Sequence, residues 1–235
     1  MNLEGLLGFL VVIFTAAGTI LFTLKKFRSA HPPVFRRISA ITRLKGAIGL
    51  SVEDGSRVHV SLGSANLNEA ANPSALVGLD SLHRIGQLSS TSDQPPVCTS
   101  GDGAFSLLSK DVLGIVAGET NTRDSFNPDH GQLTGVSPFS YALGAMEVMA
   151  DPGVKTNVLI GNFGPESGFL TTISEDNGAF TLAASDSIVA QSVFMASTRD
   201  MLIGEELFAV PAYLVYRPAH LASLRVQDIL RLGIA

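Results

Sequence analysis

Apolar and polar positions divide this chain into one unbroken apolar run followed by a long alternation of short patterned segments. The run is Gly5 to Leu24, GLLGFLVVIFTAAGTILFTL, without a charged side chain. At about 1.5 Å of rise per residue a helix of this length crosses a hydrocarbon core of roughly 30 Å, so the pattern predicts a transmembrane helix. His31-Pro32-Pro33 then breaks helical geometry, because proline lacks the N–H and disfavours helical dihedrals in the residue before it. From Val34 the apolar residues Val34, Ile38, Ile41, Leu44 and Ile48 recur at helical spacing among Arg36, Arg37, Arg43 and Lys45, which predicts an amphipathic basic helix. Two compatible readings of it stand: it lies on anionic headgroups, each base contributing about 1 kcal/mol, or it is the first helix of the globular domain.

The remaining pattern alternates strand with helix. Arg57 to Leu62 changes polarity with period two and reads as a half-buried strand. Asn72-Pro73 opens a helix with Leu76, Leu79, Leu82 and Ile85 on its apolar face, and His83 beside that stripe reads as an ordinary histidine. A brief strand after Pro96 runs into Gly101-Asp-Gly103, where Asp102 is the expected cap of a helix burying Phe105, Leu108, Val112 and Ile115. Gly118 to Ser137 is a polar stretch with at most a short strand near Leu133 to Val136, long enough to suggest a lid or partner contact. Ser137-Pro138 caps the next helix. Strands over Asn157 to Gly161 and Ala179 to Ser185 follow, each leading into a helix, and Met201 to Ile203 reads as the last strand. Gly204 to Tyr216 and Pro218 to Ala235 look helical, and the apolar ending suggests a second span or a packed terminal helix. Repeated strand-helix units with apolar strands imply an α/β fold: an N-terminal transmembrane helix, then a Rossmann-like three-layer domain with a mostly parallel sheet. The expected organisation is a transmembrane helix over 1–24, a basic juxtamembrane segment and amphipathic helix over 25–50, an α/β domain over 51–217, and a terminal helix over 218–235.

Charge orients the anchor. Lys25, Lys26, Arg28, Arg36, Arg37, Arg43 and Lys45 make seven bases with no acid among them, whereas the N-terminus holds Glu4 and no base. That flank argues against a cleaved signal peptide, which begins with bases and ends at a small-residue cleavage site. By the positive-inside rule the N-terminus is expected outside and the main domain cytoplasmic, at the inner membrane, with Lys25, Lys26, Arg28, Arg36 and Arg37 at the lipid surface. Residues 46 to 235 hold nine bases against 20 acids, a net charge of −11, which argues against a nucleic-acid partner. The single cysteine, Cys98, excludes an internal disulfide and fits a reducing compartment.

Candidate chemistry is sparse. In doubly wound sheets ligands bind beyond the carboxyl ends of the strands, which here means Thr99, Ser100, Gly101 and Asp102, then Gly161, Asn162, Phe163 and Gly164, then Ser185 and Asp186. Glycines admit a ligand close to the backbone, and helix N-termini favour anions. Yet Gly101-Asp-Gly103 lacks the third glycine of a dinucleotide fingerprint, Gly161-x-x-Gly164-x-x-x-Gly168 has the wrong spacing, and no P-loop or nucleophile elbow is present. Plain βα turns explain the same glycines. The five histidines are scattered, so neither a metal centre nor a catalytic residue set is predicted, and no cofactor is expected.

The segments FRRISAITRLKGAIGLSVEDGSRVHVSLG (35–63), IGEELFAVPAYL and PAHLASLRVQDILR (within 203–231) resemble an uncharacterised prokaryotic membrane-protein family known only as a domain of unknown function. The resemblance covers most of the chain, implies a membrane-attached α/β domain with a further span after Ala235, and supplies no catalytic residues. Three functions stay in play. The leading expectation is a non-enzymatic, membrane-anchored protein whose domain forms a homo-oligomer or scaffold. The alternative is a sensor domain binding a nucleotide or other small anion at the strand ends, and the third is a hydrolase using Ser100 or Ser185.

Overall fold

The structure, a computed structural model, describes residues 3–24, 36–64 and 73–234. Lys25, Lys26, Arg28, the His31-Pro32-Pro33 break and the Asn72 cap lie outside these residues. The chain divides into two compact units, one of residues 38–214 and one joining residues 1–37 to 215–235.

Helix α1 (Leu3–Thr23) contains Gly5–Thr23, long and apolar enough to cross a membrane. Its threonines hide their polarity: Thr15, Thr19 and Thr23 donate to the carbonyls of Val12, Thr15 and Thr19 at 2.7–2.8 Å.

The unit of residues 38–214 runs α2 (Ser39–Glu53), β1 (Arg57–Gly63), α3 (Pro73–Leu88), β2 (Val97–Ser100), α4 (Gly103–Glu119), two 3-10 turns, β3 (Gly131–Leu133), α5 (Pro138–Met149), β4 (Val154–Asn162), α6 (Ser167–Asp176), β5 (Phe180–Ser185), α7 (Ile188–Ser197), β6 (Asp200–Leu202) and α8 (Glu206–Leu214). The six strands form one sheet in the order β3-β2-β1-β4-β5-β6, and every pairing is parallel. The chain winds outward from β1 to β3, returns to β4 beside β1, and winds outward the other way to β6. Right-handed crossovers therefore send α3 and α4 to one face and α5, α6 and α7 to the other, with α2 and α8 packed on the α3 side. In the other unit, α9 (Pro218–Ile234) packs along α1, with Val226 against Gly18 and the Arg225 guanidinium 5.8 Å from the Phe22 ring centroid.

Several sequence expectations change, the simplest being Leu76 of α3, expected on the apolar face but exposed. β1 is buried on both faces rather than half-buried, because a parallel sheet wound in both directions is covered twice. The buried face of α4 is Phe105, Ser106, Ser109, Leu113, Val116 and Ala117, while Leu108 and Ile115 point outward. Serine takes inward positions there because Ser109 Oγ satisfies itself on Ser106 O at 2.8 Å, which a count of apolar residues cannot see. The polar stretch after Gly118 is more ordered than its composition suggests: it completes α4, makes two 3-10 turns and supplies the edge strand β3, slightly earlier than expected. Finally, α2 starts at Ser39, with residues 36–38 outside the helix and Val34 outside the described residues, and its apolar residues Ala40, Ile41, Leu44 and Ile48 are buried within the α/β unit. It is thus the first helix of that unit, tied by Arg43 to Asp200 at the start of β6.

Candidate functional site

The winding reverses between β1 and β4, and in open parallel sheets the crevice beyond such a pair is where ligands bind. Two glycines let the strands converge there. A Cβ on Gly63, which sits at φ +84°, would lie 2.0 Å from Asn162 O, and one on Gly161 would lie 1.9 Å from Leu62 O. The backbones are then stitched together: Ser64 N–H donates to Asn162 O at 3.1 Å and Gly101 N–H to Gly63 O at 2.9 Å. Beside this seam Glu166 is only 1% exposed, and its Oε1 accepts Gly164 N–H at 2.8 Å and the Ser64 hydroxyl at 3.4 Å. One strand over, Asn162 Nδ2 donates to Asp186 Oδ1 at 2.9 Å.

The residues expected at this edge divide by what their polar groups already do. Gly161, Asn162, Gly164 and Asp186 gather at the β4 end with Gly63, Ser64 and Glu166. On the β2 side Thr99 turns inward to His59 Nε2 at 2.9 Å, Ser100 Oγ donates to Asp102 O at 3.2 Å, and Gly101 packs against Ser64. Asp102 caps α4, accepting Ala104 and Phe105 N–H at 3.0 and 3.1 Å. Ser185 Oγ is buried and accepts the N–H groups of Phe163 and Ser187 at 3.4 and 3.2 Å. Arg36 and Arg37 are exposed.

Sequence reasoning passed over the polar seam beneath the edge. His59 Nδ1 donates to Asn157 Oδ1 at 3.0 Å, and Asn157 Nδ2 donates to Ser174 Oγ at 2.7 Å, which bonds Thr181 in turn. Tyr141 bonds Ser61, and its hydroxyl accepts Gly63 N–H at 3.2 Å. Burial lowers the His59 imidazole to about 4, against the opposing hydrogen bond to Asn157, and burial raises the Tyr141 phenol. Both groups stay neutral at pH 7, so the seam holds strands in register and offers no acid or base near neutrality. The signal for it was present as His59 and Ser61 inside an otherwise aliphatic strand. Glu166 had no such signal, since an acid after Gly164-Pro165 reads as an ordinary turn residue.

Among the described residues no group of three His, Cys, Asp or Glu could hold a metal ion. Between α5, β3 and the starts of β1, β2 and β4 lies an open groove of about 480 Å³. Neither the curated proteins nor the solved structures contain a match to this chain. Residues 2–235 match one family over nearly the full length, and the chain belongs to it: Domain of unknown function (DUF6754).

Proposed function

We propose that this is a membrane-anchored, non-enzymatic protein: α1 crosses the cytoplasmic membrane with its N-terminus outside, and the α/β unit assembles with further copies of itself on the cytoplasmic side. The observation that carries self-association is an exposed apolar band on α5 and α6. The rings of Phe139 and Phe169 meet edge to face with centroids 6.2 Å apart, yet remain 57% and 47% exposed. Leu133, Val136 and Leu143, all exposed, belong to the same edge strand, loop and helix. Two exposed aromatic rings packed on each other across two helices, with further exposed apolar residues on the same elements, support a protein contact here. The seven bases from Lys25 to Lys45 and the lone cysteine support the orientation. Extraction in mild detergent followed by mass measurement tests it. An oligomer is expected, converted to monomer by the double substitution Phe139→Ser and Phe169→Ser; a monomer at every concentration overturns the reading.

A second reading, a sensor for a nucleotide or other small anion at the strand ends, is favoured by the strand order, which sets a crevice between β1 and β4. It ranks below the first because Asp102, Glu166 and Asp186 line that edge with carboxylates. Thermal unfolding with ATP, NAD or inorganic phosphate decides it, a shift lost in Asn162→Ala being the supporting result and no shift with any of them the opposing one.

A further inference from the structure

Arg57 opens β1 at the amino edge of the sheet and lines the groove of about 480 Å³ noted above. That volume falls within the roughly 300–1,000 Å³ common for small-molecule sites. The guanidinium is under-satisfied. Nη2 donates to Gln94 Oε1 at 2.6 Å, Nε is buried with no hydrogen-bond partner, and no carboxylate pairs with the group among the described residues. The uncompensated charge reaches His130, whose imidazole is held below its ordinary value first by burial and then by Arg57. A planar fork of five donors holding one neutral acceptor has capacity for a carboxylate, which it binds bidentately.

The other wall carries the opposite charge. Glu147 of α5 is exposed and makes no hydrogen bond or ion pair among the described residues, and Asp151 in the turn after α5 spends Oδ1 on Gly153 N–H at 2.8 Å. Between acids and base the lining is mixed, with Gln132 and Thr134 beside Val97, Val148 and Val154. A purely anionic ligand would meet two carboxylates, and a purely cationic one would leave Arg57 without a counter-charge. The geometry points to a binding site for a small zwitterion, a free amino acid or close analogue, whose carboxylate seats on Arg57 and whose ammonium group faces Glu147 and Asp151. This goes beyond self-association and concerns the end of the strands opposite the β1/β4 crevice.

The test is thermal unfolding of the full chain in detergent with each of the twenty common amino acids in turn. At least one should raise the unfolding temperature, while its N-acetyl derivative and its methyl ester, each lacking one charge, should not. Arg57→Gln and Glu147→Gln should each weaken binding about tenfold or more. Glu147 is exposed, so its substitution reports on binding without disturbing the fold even where Arg57→Gln does. The site is overturned by the absence of a shift with any amino acid, by a blocked derivative acting as well as its parent, or by unchanged binding in Glu147→Gln.

Discussion

The two faces of the sheet are held by different forces. On the side of α2, α3 and α8, Val58, Val60, Leu62, Ile160 and Leu182 meet Leu44, Leu79, Leu82 and Ile85, an aliphatic core whose cohesion is non-directional. On the side of α5, α6 and α7, a hydrogen-bonded line runs from Thr99 through His59, Asn157 and Ser174 to Thr181, flanked by Phe163, Phe194, Leu159 and Ala183. Aliphatic side chains tolerate small displacements. A buried polar line does not, because each unmade bond leaves a desolvated group behind. Both faces bury apolar side chains, and the second also specifies which residues of β1, β2, β4 and β5 stand side by side.

The two faces part most sharply under substitution. Gly161→Val should be the severest change, since its Cβ would meet Leu62 O from the polar side and force β1 and β4 apart; a loss above about 4 kcal/mol is expected, seen as failure to unfold cooperatively in denaturant. Leu82→Ala on the aliphatic side should cost about 2–5 kcal/mol with the register kept. Cys98 is buried, and burial pushes its thiol up to about 12, against the hydrogen bond with Ser109 that lowers it, so a maleimide should label it faster in the less stable variant than in the parent. If labelling did not accelerate, the aliphatic face would not be the unit that loosens.

The polar face should be distinguished by acid. Its histidine has a folded pKa of about 4, below the unfolded value of 6.5, so the unfolded chain binds the additional proton between those values. Stability is fully present above about pH 6.5 and falls as pH drops toward 4, by about 3 kcal/mol for that shift. His59→Gln should lower stability at neutral pH and flatten this slope; an unchanged slope in unfolding titrations would assign it to other groups. Asp102→Ala should have the mildest effect, about 1 kcal/mol from loss of one helix cap, with circular dichroism at neutral pH otherwise unaltered.

Legibility followed the same divide. The Asp102 cap, the Ser137 cap of α5 and the strands expected over Asn157 to Gly161 and Ala179 to Ser185 were readable, within a few residues at their ends, because caps and apolar periods are local signals. The edge strand β3 and the closed polar seam were not, because each depends on a partner far along the chain, and the inward serines of α4 were not, because a count of apolar residues misses a hydroxyl satisfied within its own helix. At the candidate crevice the glycines and Asn162 were legible, whereas Gly63 and Glu166 came into view only once β1 and β4 were adjacent.

By itself the sequence determined an apolar helix long enough to cross a membrane, a repeated strand-helix order and the absence of familiar nucleotide or nucleophile motifs, all properties of neighbouring residues. Only the tertiary structure decided the strand order, the burial of both faces of β1, the engagement of Thr99, Ser100 and Ser185 in turns and seams, and the meeting of Arg57 with Glu147 and Asp151 around one groove. The physical reason is that hydrogen bonding and charge act over a few ångströms in space. Residues 57 and 147 come to line one groove only after the sheet has wound in both directions.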